Sequence, residues 1–111
     1  PVTLQVMADG GDGVVSVTSN AAPALVARLT ELAAAGNFAG ARDIHHQLAE
    51  LTVAAFVEPN PIPIKAGLAM MGKMANVLRL PLVPLASQHH ETVRAALRDA
   101  GVLAAPLKVP A

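Results

Sequence analysis

Residues 10–20 have the sequence GGDGVVSVTSN, and the interpretation of the whole chain starts from this stretch. At its centre Val14, Val15 and Val17 form a short β-branched apolar run that is interrupted only by Ser16. Glycines and polar turn-forming residues flank the run on both sides. This pattern is typical of a strand that is buried on both faces, as in parallel sheets and barrels. The sequence therefore predicts a β-strand at Val14–Thr18.

No other segment of the 111 residues has a convincing strand pattern. A single strand leaves both rows of its backbone N–H and C=O groups without partners, and burying such groups unpaired is costly. We therefore expect the strand at Val14–Thr18 to pair with polypeptide outside these residues. On this interpretation the chain is a fragment of a larger protein.

The composition agrees with a chain whose surface is partly covered by other protein. Hydrophobic residues make up 53% of the sequence, but only Phe38 and Phe56 are aromatic. Charged residues make up 14%, against about 25% in ordinary soluble domains, and this deficit predicts apolar surfaces that contact more protein.

The same composition excludes several classes of function. Eight basic residues balance eight acidic ones without a basic cluster, which argues against a nucleic-acid partner. The absence of cysteine excludes disulfides and cysteine chemistry. No apolar run approaches the roughly 18 residues of a membrane span, and we expect a soluble, cytoplasmic protein.

The remaining sequence predicts a mostly α-helical chain with this one short strand. The predicted helices are Thr3–Asp9 ending at Gly10, 21–35 with Asn20 as N-cap, 38–57, 64–78, and Gln88–Ala100 capped by Ser87. Three prolines make 58–63 a rigid elbow, and two more favour an irregular extended connector at 79–85. The helix at 38–57 is apolar around more than half its circumference and is expected to be buried between two layers.

Two features resemble binding or catalytic motifs, and a structural interpretation is favoured for both. The GGDG at residues 10–13 resembles a phosphate-binding loop, but such loops follow a strand and open a helix, whereas these glycines precede the strand. A plain turn is favoured. Lys65 lies in an apolar setting, where a desolvated lysine can form a Schiff base, but a helix lysine that reaches solvent is favoured. Lys73 and Lys108 are weaker candidates.

Histidines and carboxylates do not form a predicted site either. Adjacent residues on a helix point about 100° apart, so neither of the two His-His pairs can chelate a metal from one face. Acidic pairs have no spacing that sets them apart from surface carboxylates, and a methionine cluster is typical of helix packing. The residues considered are His45 and His46, His89 and His90, Asp9 and Asp12, Glu50 and Glu58, and Met70, Met71 and Met74. No catalytic residue, metal site or cofactor is predicted in the chain.

Four motifs resemble the C-terminal portion of the dihydrodipicolinate synthase (4-hydroxy-tetrahydrodipicolinate synthase) family, a group of pyruvate-dependent, class I aldolase-like lyases. The motifs are GGDGVVSVTSNAAP at 10–23, FVEPNPIPIKAGLAMMG at 56–72, RLPLVPL at 79–85 and HETVRAALRDAGVL at 90–103. They occur in the family's order and spacing and cover nearly all of residues 3–103.

This resemblance implies a fold in which a (β/α)₈ barrel is followed by a C-terminal helical extension, and such barrels take about 250 residues. Residues 1–35 would be the end of the barrel, with the end of helix 7, strand 8 at Val14–Thr18 and the start of helix 8. Residues 36–103 would be the helical extension and 104–111 a tail. The predicted strand would then pair with barrel strands that precede this chain.

The resemblance also implies a function. Members of the family condense pyruvate, held as a Schiff base on a lysine, with aspartate semialdehyde in lysine biosynthesis. That lysine, the Thr and Tyr of the proton relay and the carboxylate-binding Arg would lie before residue 1, and Lys65 does not match the lysine motif. The one site position carried over is Val15, whose backbone would line the pyruvate pocket, although the family often has Ile there.

The expected partners are pyruvate in the parent enzyme, the rest of the barrel and further copies in a homo-oligomer. The alternative, based on the low charge and the apolar helix at 38–57, is a non-catalytic helical interaction or oligomerisation module.

Overall fold

A computed structural model describes residues 2–104 of the chain as a mostly helical assembly. The five α-helices are α1 Thr3–Ala8, α2 Pro23–Ala34, α3 Phe38–Ala54, α4 Ile62–Met70 and α5 His90–Asp99. Short 3₁₀ turns at Thr18–Asn20 and Ser87–His89 precede α2 and α5. The helical part of the predicted fold class is confirmed.

The predicted strand at Val14–Thr18 is wrong for the chain as it stands. Residues 2–104 contain no strand, and Thr18 belongs to a 3₁₀ turn. Strand geometry requires a neighbour that pairs with its backbone, and no described segment lies alongside as a ladder partner. Val14 and Val15 make no backbone hydrogen bond to any residue of 2–104.

Glycines with positive φ end the first two helices, as the sequence predicts. Gly10 has φ +105° after α1 and Gly36 has φ +79° after α2, a conformation that side-chain-bearing residues rarely adopt. The prediction of Asn20 as the N-cap of α2 is wrong. Ala22 is the N-cap and Pro23 occupies the first turn, while the Asn20 amide donates to the Val17 carbonyl over 3.0 Å.

The predicted ends of α3 and α4 also need correction. α3 stops at Ala54 rather than at residue 57. α4 begins at Ile62, because proline is tolerated in a first helical turn, and Pro63 lies inside it. It ends at Met70 rather than at residue 78, since Gly72, with φ +71°, turns the chain out of the helix.

At α5 the prediction of Ser87 as a side-chain cap is wrong. Ser87 opens the 3₁₀ turn instead, and the helix itself starts at His90.

The core lies between α2, α3 and α5, with α4 packed on α5. Leu51 and Leu97 are among its most deeply buried side chains. A Cβ at Gly67 of α4 would lie 3.5 Å from both Leu97 and Val93 of α5, an ordinary van der Waals distance, so α4 packs directly on α5 at this point. The shortest dimension of the molecule is 20 Å, about two helix diameters.

Large apolar side chains are exposed in two regions. One comprises Val2, Val6, Val14, Val15, Val53 and Phe56, which we call the valine face. The other is the connector between α4 and α5, where Met74, Val77, Leu80 and Val83 are exposed. The prediction that α3 is buried between two layers is wrong for residues 2–104, because Arg42, Glu50 and Val53 along this helix are exposed.

None of the helices in residues 2–104 combines the length and the apolar composition that crossing a membrane requires.

Candidate functional site

A groove of about 300 Å³ lies between residues 14–18, α2 and α3. Its walls are mostly apolar. They include Val14, Val15 and Val17 on one side, Val26, Leu29 and Leu48 from α2 and α3, and Phe56 just after α3. Thr18, Thr52 and His45 are among its polar contributors. The groove places the predicted site residue Val15 beside the helical core.

Two threonines anchor one end of the groove. The hydroxyl of Thr18, a residue only 6% exposed, lies 3.2 Å from the hydroxyl of Thr52 on α3. The Thr52 hydroxyl donates to the Leu48 carbonyl over 2.9 Å. A hydroxyl has a single proton to donate, so Thr18 is the donor to Thr52. The pair attaches the segment that follows Val17 to the last turn of α3.

A reciprocal pair of serines holds the backbone next to these threonines. The Ser19 N–H donates to the Ser16 side-chain oxygen over 3.0 Å, and the Ser19 hydroxyl donates to the Ser16 carbonyl over 2.8 Å. Residues 16–20 are therefore fixed by local hydrogen bonds, while Val14 and Val15 immediately before them are not.

Val15 lies in an open position. Its relative exposure is 106%, so its side chain projects into solvent from the lip of the groove, and the described residues form no closed pocket around it. Its N–H and C=O groups are available for further hydrogen bonds.

His45 is the titratable residue in the groove wall. Burial, with the neighbouring His46 as a second cause, lowers the pKa of His45 below its usual 6.5, so the neutral ring is favoured. The His45 and His46 ring centroids are 5.6 Å apart and tilted by 52°. Within residues 2–104, no three histidine, aspartate or glutamate side chains come together in a way that could hold a metal ion.

The GGDG segment forms a turn at the end of α1. Gly11 donates its N–H to the Val6 carbonyl over 2.8 Å. A Cβ at Gly11 would lie only 2.7 Å from the Val6 side chain, so this position requires glycine. The turn interpretation of these glycines is confirmed.

Lys65 has a structural contact rather than a place in the groove. Its Nζ donates to the Val77 carbonyl over 3.0 Å and so attaches the connector to α4. Lys73 borders a separate depression next to the start of α2, and Lys108 lies outside the described residues. Neither Lys65 nor Lys73 lines the groove beside Val15.

The second histidine pair also has structural partners. His90 Nε2 lies 3.0 Å from the Leu85 carbonyl, and because a carbonyl only accepts, this nitrogen carries the proton. His89 Nε2 is 3.9 Å from Glu58, whose carboxylate accepts the Ala86 N–H over 3.1 Å. These contacts hold the end of the connector against the turn between α3 and α4.

Sequence reasoning missed the Thr18–Thr52 pair and the role of Glu58. The partners are 34 and 28 residues apart, so no local pattern could have identified them. The reciprocal pairing of Ser16 and Ser19, in contrast, has an i, i+3 spacing typical of capping and turn contacts.

Sequence comparisons identify relatives along most of this chain. The sequence model of the dihydrodipicolinate synthetase family matches residues 1–100. The chain is 55% identical over 97 residues to the 4-hydroxy-tetrahydrodipicolinate synthase of Acidithiobacillus ferrooxidans. This match covers 87% of the chain and 33% of the relative. It is 50% identical over 103 residues to the synthase of Ralstonia nicotianae, and this match covers 93% of the chain and 35% of the relative. The chain thus spans about a third of the length of these relatives.

Solved structures give the same result. The dihydrodipicolinate synthase of Thermotoga maritima superimposes with a TM-score of 0.89 at 44% identity, covering 92% of this chain and 35% of that one. The pyruvate complex of the Acinetobacter baumannii enzyme gives a TM-score of 0.89 at 39% identity, with the same two coverages. From the family match and these similarities we conclude that the chain belongs to the dihydrodipicolinate synthetase family.

Proposed function

We propose that this chain is the C-terminal segment of a pyruvate-dependent Schiff-base lyase that condenses pyruvate with aspartate semialdehyde in lysine biosynthesis. Relatives named 4-hydroxy-tetrahydrodipicolinate synthase are about three times as long, and one solved relative is a complex with pyruvate. The segment supplies structure to the active site, while the catalytic lysine comes from the rest of the enzyme. As part of such an enzyme the chain is expected in the cytoplasm.

One observation carries this proposal: Val14 and Val15 expose apolar side chains and backbone groups that make no hydrogen bond within residues 2–104. A (β/α)₈ barrel would provide a strand on each side of them and would turn the irregular segment into its eighth strand. The anchors at Ser16 and Thr18 already fix the C-terminal end of this segment against the helices.

Within the barrel, Val15 would contribute its backbone to the wall of the pyruvate pocket. Active sites of such barrels lie at the carboxyl ends of the strands, and Val15 is the position that the family resemblance assigns to the pocket wall. A backbone contact tolerates Val in place of Ile, because neither side chain alters the N–H or the C=O group. Residues 1–35 would complete the barrel, and 36–103 would pack on it as a helical extension.

A chimeric enzyme tests the proposal. This chain would replace the matched third of the Thermotoga maritima synthase, to which it is 45% identical over 101 residues. We expect pyruvate-dependent activity within about tenfold of the parent. Val15→Pro, which removes the N–H, should abolish the activity, whereas the control Val15→Ala, which keeps the backbone, should retain it. An inactive but folded chimera, or equal activities of the two variants, would contradict the proposal.

The chain without the remainder of the enzyme should not trap pyruvate. Borohydride reduction with pyruvate is expected to leave Lys65, Lys73 and Lys108 unmodified, because the family resemblance places the reactive lysine elsewhere, and neither Lys65 nor Lys73 lines the groove. A pyruvyl adduct on any of them, detected by peptide mass spectrometry, would place a reactive amine within this segment.

A further inference from the structure

The valine face combines exposed apolar side chains with an unpaired stretch of backbone. Val2, Val14, Val15 and Phe56 line the same groove. The other two residues of the valine face, Val6 and Val53, lie next to these four. Val6 follows Val2 by one turn of α1, and the Val53 carbonyl accepts the Phe56 N–H. The side chains are 42% exposed at Val14 and 106% at Val15.

The backbone of this face is self-complementary. Residues 12–15 make no backbone hydrogen bond to the rest of the described chain, and exposed backbone without partners can pair with a strand of another chain. Antiparallel pairing of two identical segments satisfies a two-fold axis, in which the same groups are donors and acceptors on both copies.

The face is also free of charges that would oppose such pairing. Among residues 2–104, no Asp, Glu, Lys or Arg lines the groove. A two-fold axis at Val15 places each Asp12 opposite residue 18 of the other copy, so the two Asp12 carboxylates lie on opposite sides of the axis.

We propose that this chain, when separate from any longer polypeptide, forms a symmetric dimer in which Val15 and the residues next to it pair antiparallel with the same residues of a second copy about a two-fold axis at Val15. In this pairing the N–H and C=O groups of each Val15 bond to those of the Val15 in the other copy, and the two valine faces come together. The proposal does not depend on the proposed function. It assigns a different occupant to the same face, so barrel strands and a second copy cannot bind there at once.

The exposed area is sufficient for a specific dimer. The six side chains of the valine face expose roughly 600 Å² per copy, so their mutual burial removes about 1,200 Å² of surface from water, above the roughly 1,000 Å² that a specific interface requires. An interface at this lower limit predicts a dissociation constant of about 1–100 µM.

Sedimentation equilibrium of the 111-residue chain from 1 to 300 µM tests the dimer, with Val15→Lys as the variant and Leu80→Lys as the matched control. Leu80 is 85% exposed but lies on the connector. We expect Val15→Lys to weaken dimerisation at least about 30-fold, because two ammonium groups would meet at the axis, and Leu80→Lys to leave it within about threefold. A monomer throughout, a larger assembly, or dissociation by Leu80→Lys would overturn the proposal.

A second test remains informative if Val15→Lys fails to fold. The chain has no cysteine, so Val15→Cys introduces a single thiol whose counterpart at the two-fold axis lies within disulfide distance. Mild oxidation should convert Val15→Cys to a covalent dimer and leave Leu80→Cys monomeric. Equal cross-linking of the two variants would overturn the proposal. Neither result changes the expected activity of the chimeric enzyme, so the two proposals fail independently.

Discussion

Replacing Thr52 by valine should destabilise the chain more than replacing Thr18, although the two hydroxyls share one hydrogen bond. Thr18 donates to Thr52 across 3.2 Å, and Thr52 donates onward to the Leu48 carbonyl across 2.9 Å. Thr52→Val therefore leaves the hydroxyl of Thr18, a residue 6% exposed, without its acceptor. Thr18→Val removes the donor but leaves Thr52 with its bond to Leu48.

The magnitudes follow from this direction of donation. A buried hydroxyl without a partner costs about 1–3 kcal/mol, whereas the net loss of one hydrogen bond costs about 0.5–1.5 kcal/mol. We expect about 2 kcal/mol for Thr52→Val, about 1 kcal/mol for Thr18→Val, and about 1 kcal/mol for the double variant, in which no hydroxyl is stranded. At this chain length each kcal/mol lowers the melting temperature by about 5 °C.

Urea unfolding followed by circular dichroism would measure the three variants. All samples need one protein concentration, because self-association adds to apparent stability. If Thr52→Val were no more destabilising than Thr18→Val, or if the double variant lost the sum of the two single effects, the assigned direction of this hydrogen bond would be wrong.

Three further perturbations have definite expected outcomes. Leu97→Ala should lower the free energy of unfolding by about 3–4 kcal/mol in urea, because Gly67 on the facing helix has no side chain to fill the cavity. As a control, Leu80→Ala at an exposed position should change this free energy by less than about 0.5 kcal/mol. Similar values for the two variants would show that α5 does not pack on α4. Asn37→Ala should cost about 1 kcal/mol, since this side chain caps α3 over 3.0 Å, and an unchanged urea midpoint would contradict that role. Burial lowers the pKa of the His45 imidazole below 6.5, so this ring binds a proton more tightly in the unfolded chain than in the folded chain. Stability should fall as the pH drops from 7 through 6.5 toward the folded pKa, and His45→Gln should lack this part of the pH dependence. An NMR titration midpoint of His45 at or above 6.5 would refute it.

The helices could be predicted because their determinants are local. Gly10 and Gly36 end helices through a left-handed backbone, and Pro23 opens one because the first turn has no use for its N–H. The errors arose where two local rules competed. Met74 and Leu78 continue the apolar spacing of α4, but Gly72 ends the helix first.

The candidate site was predictable only in part. The Val14–Val17 run has the composition of a buried strand, but strand formation depends on neighbours that residues 2–104 do not provide. The sequence therefore identified Val14–Val17 as a segment whose backbone lacks partners in this chain, but it did not predict the irregular conformation of these residues. The Thr18–Thr52 contact depends on how residues 16–20 meet α3, which no spacing along the chain reveals.

Amide hydrogen exchange at Val14–Val17 within the chimeric enzyme is the most direct test of the idea that these residues form a strand inside a complete barrel. We predict protection there comparable to that of Leu97 in the core of α5. Exchange at the rate of an unstructured peptide, in a chimera whose helices are protected, would contradict it.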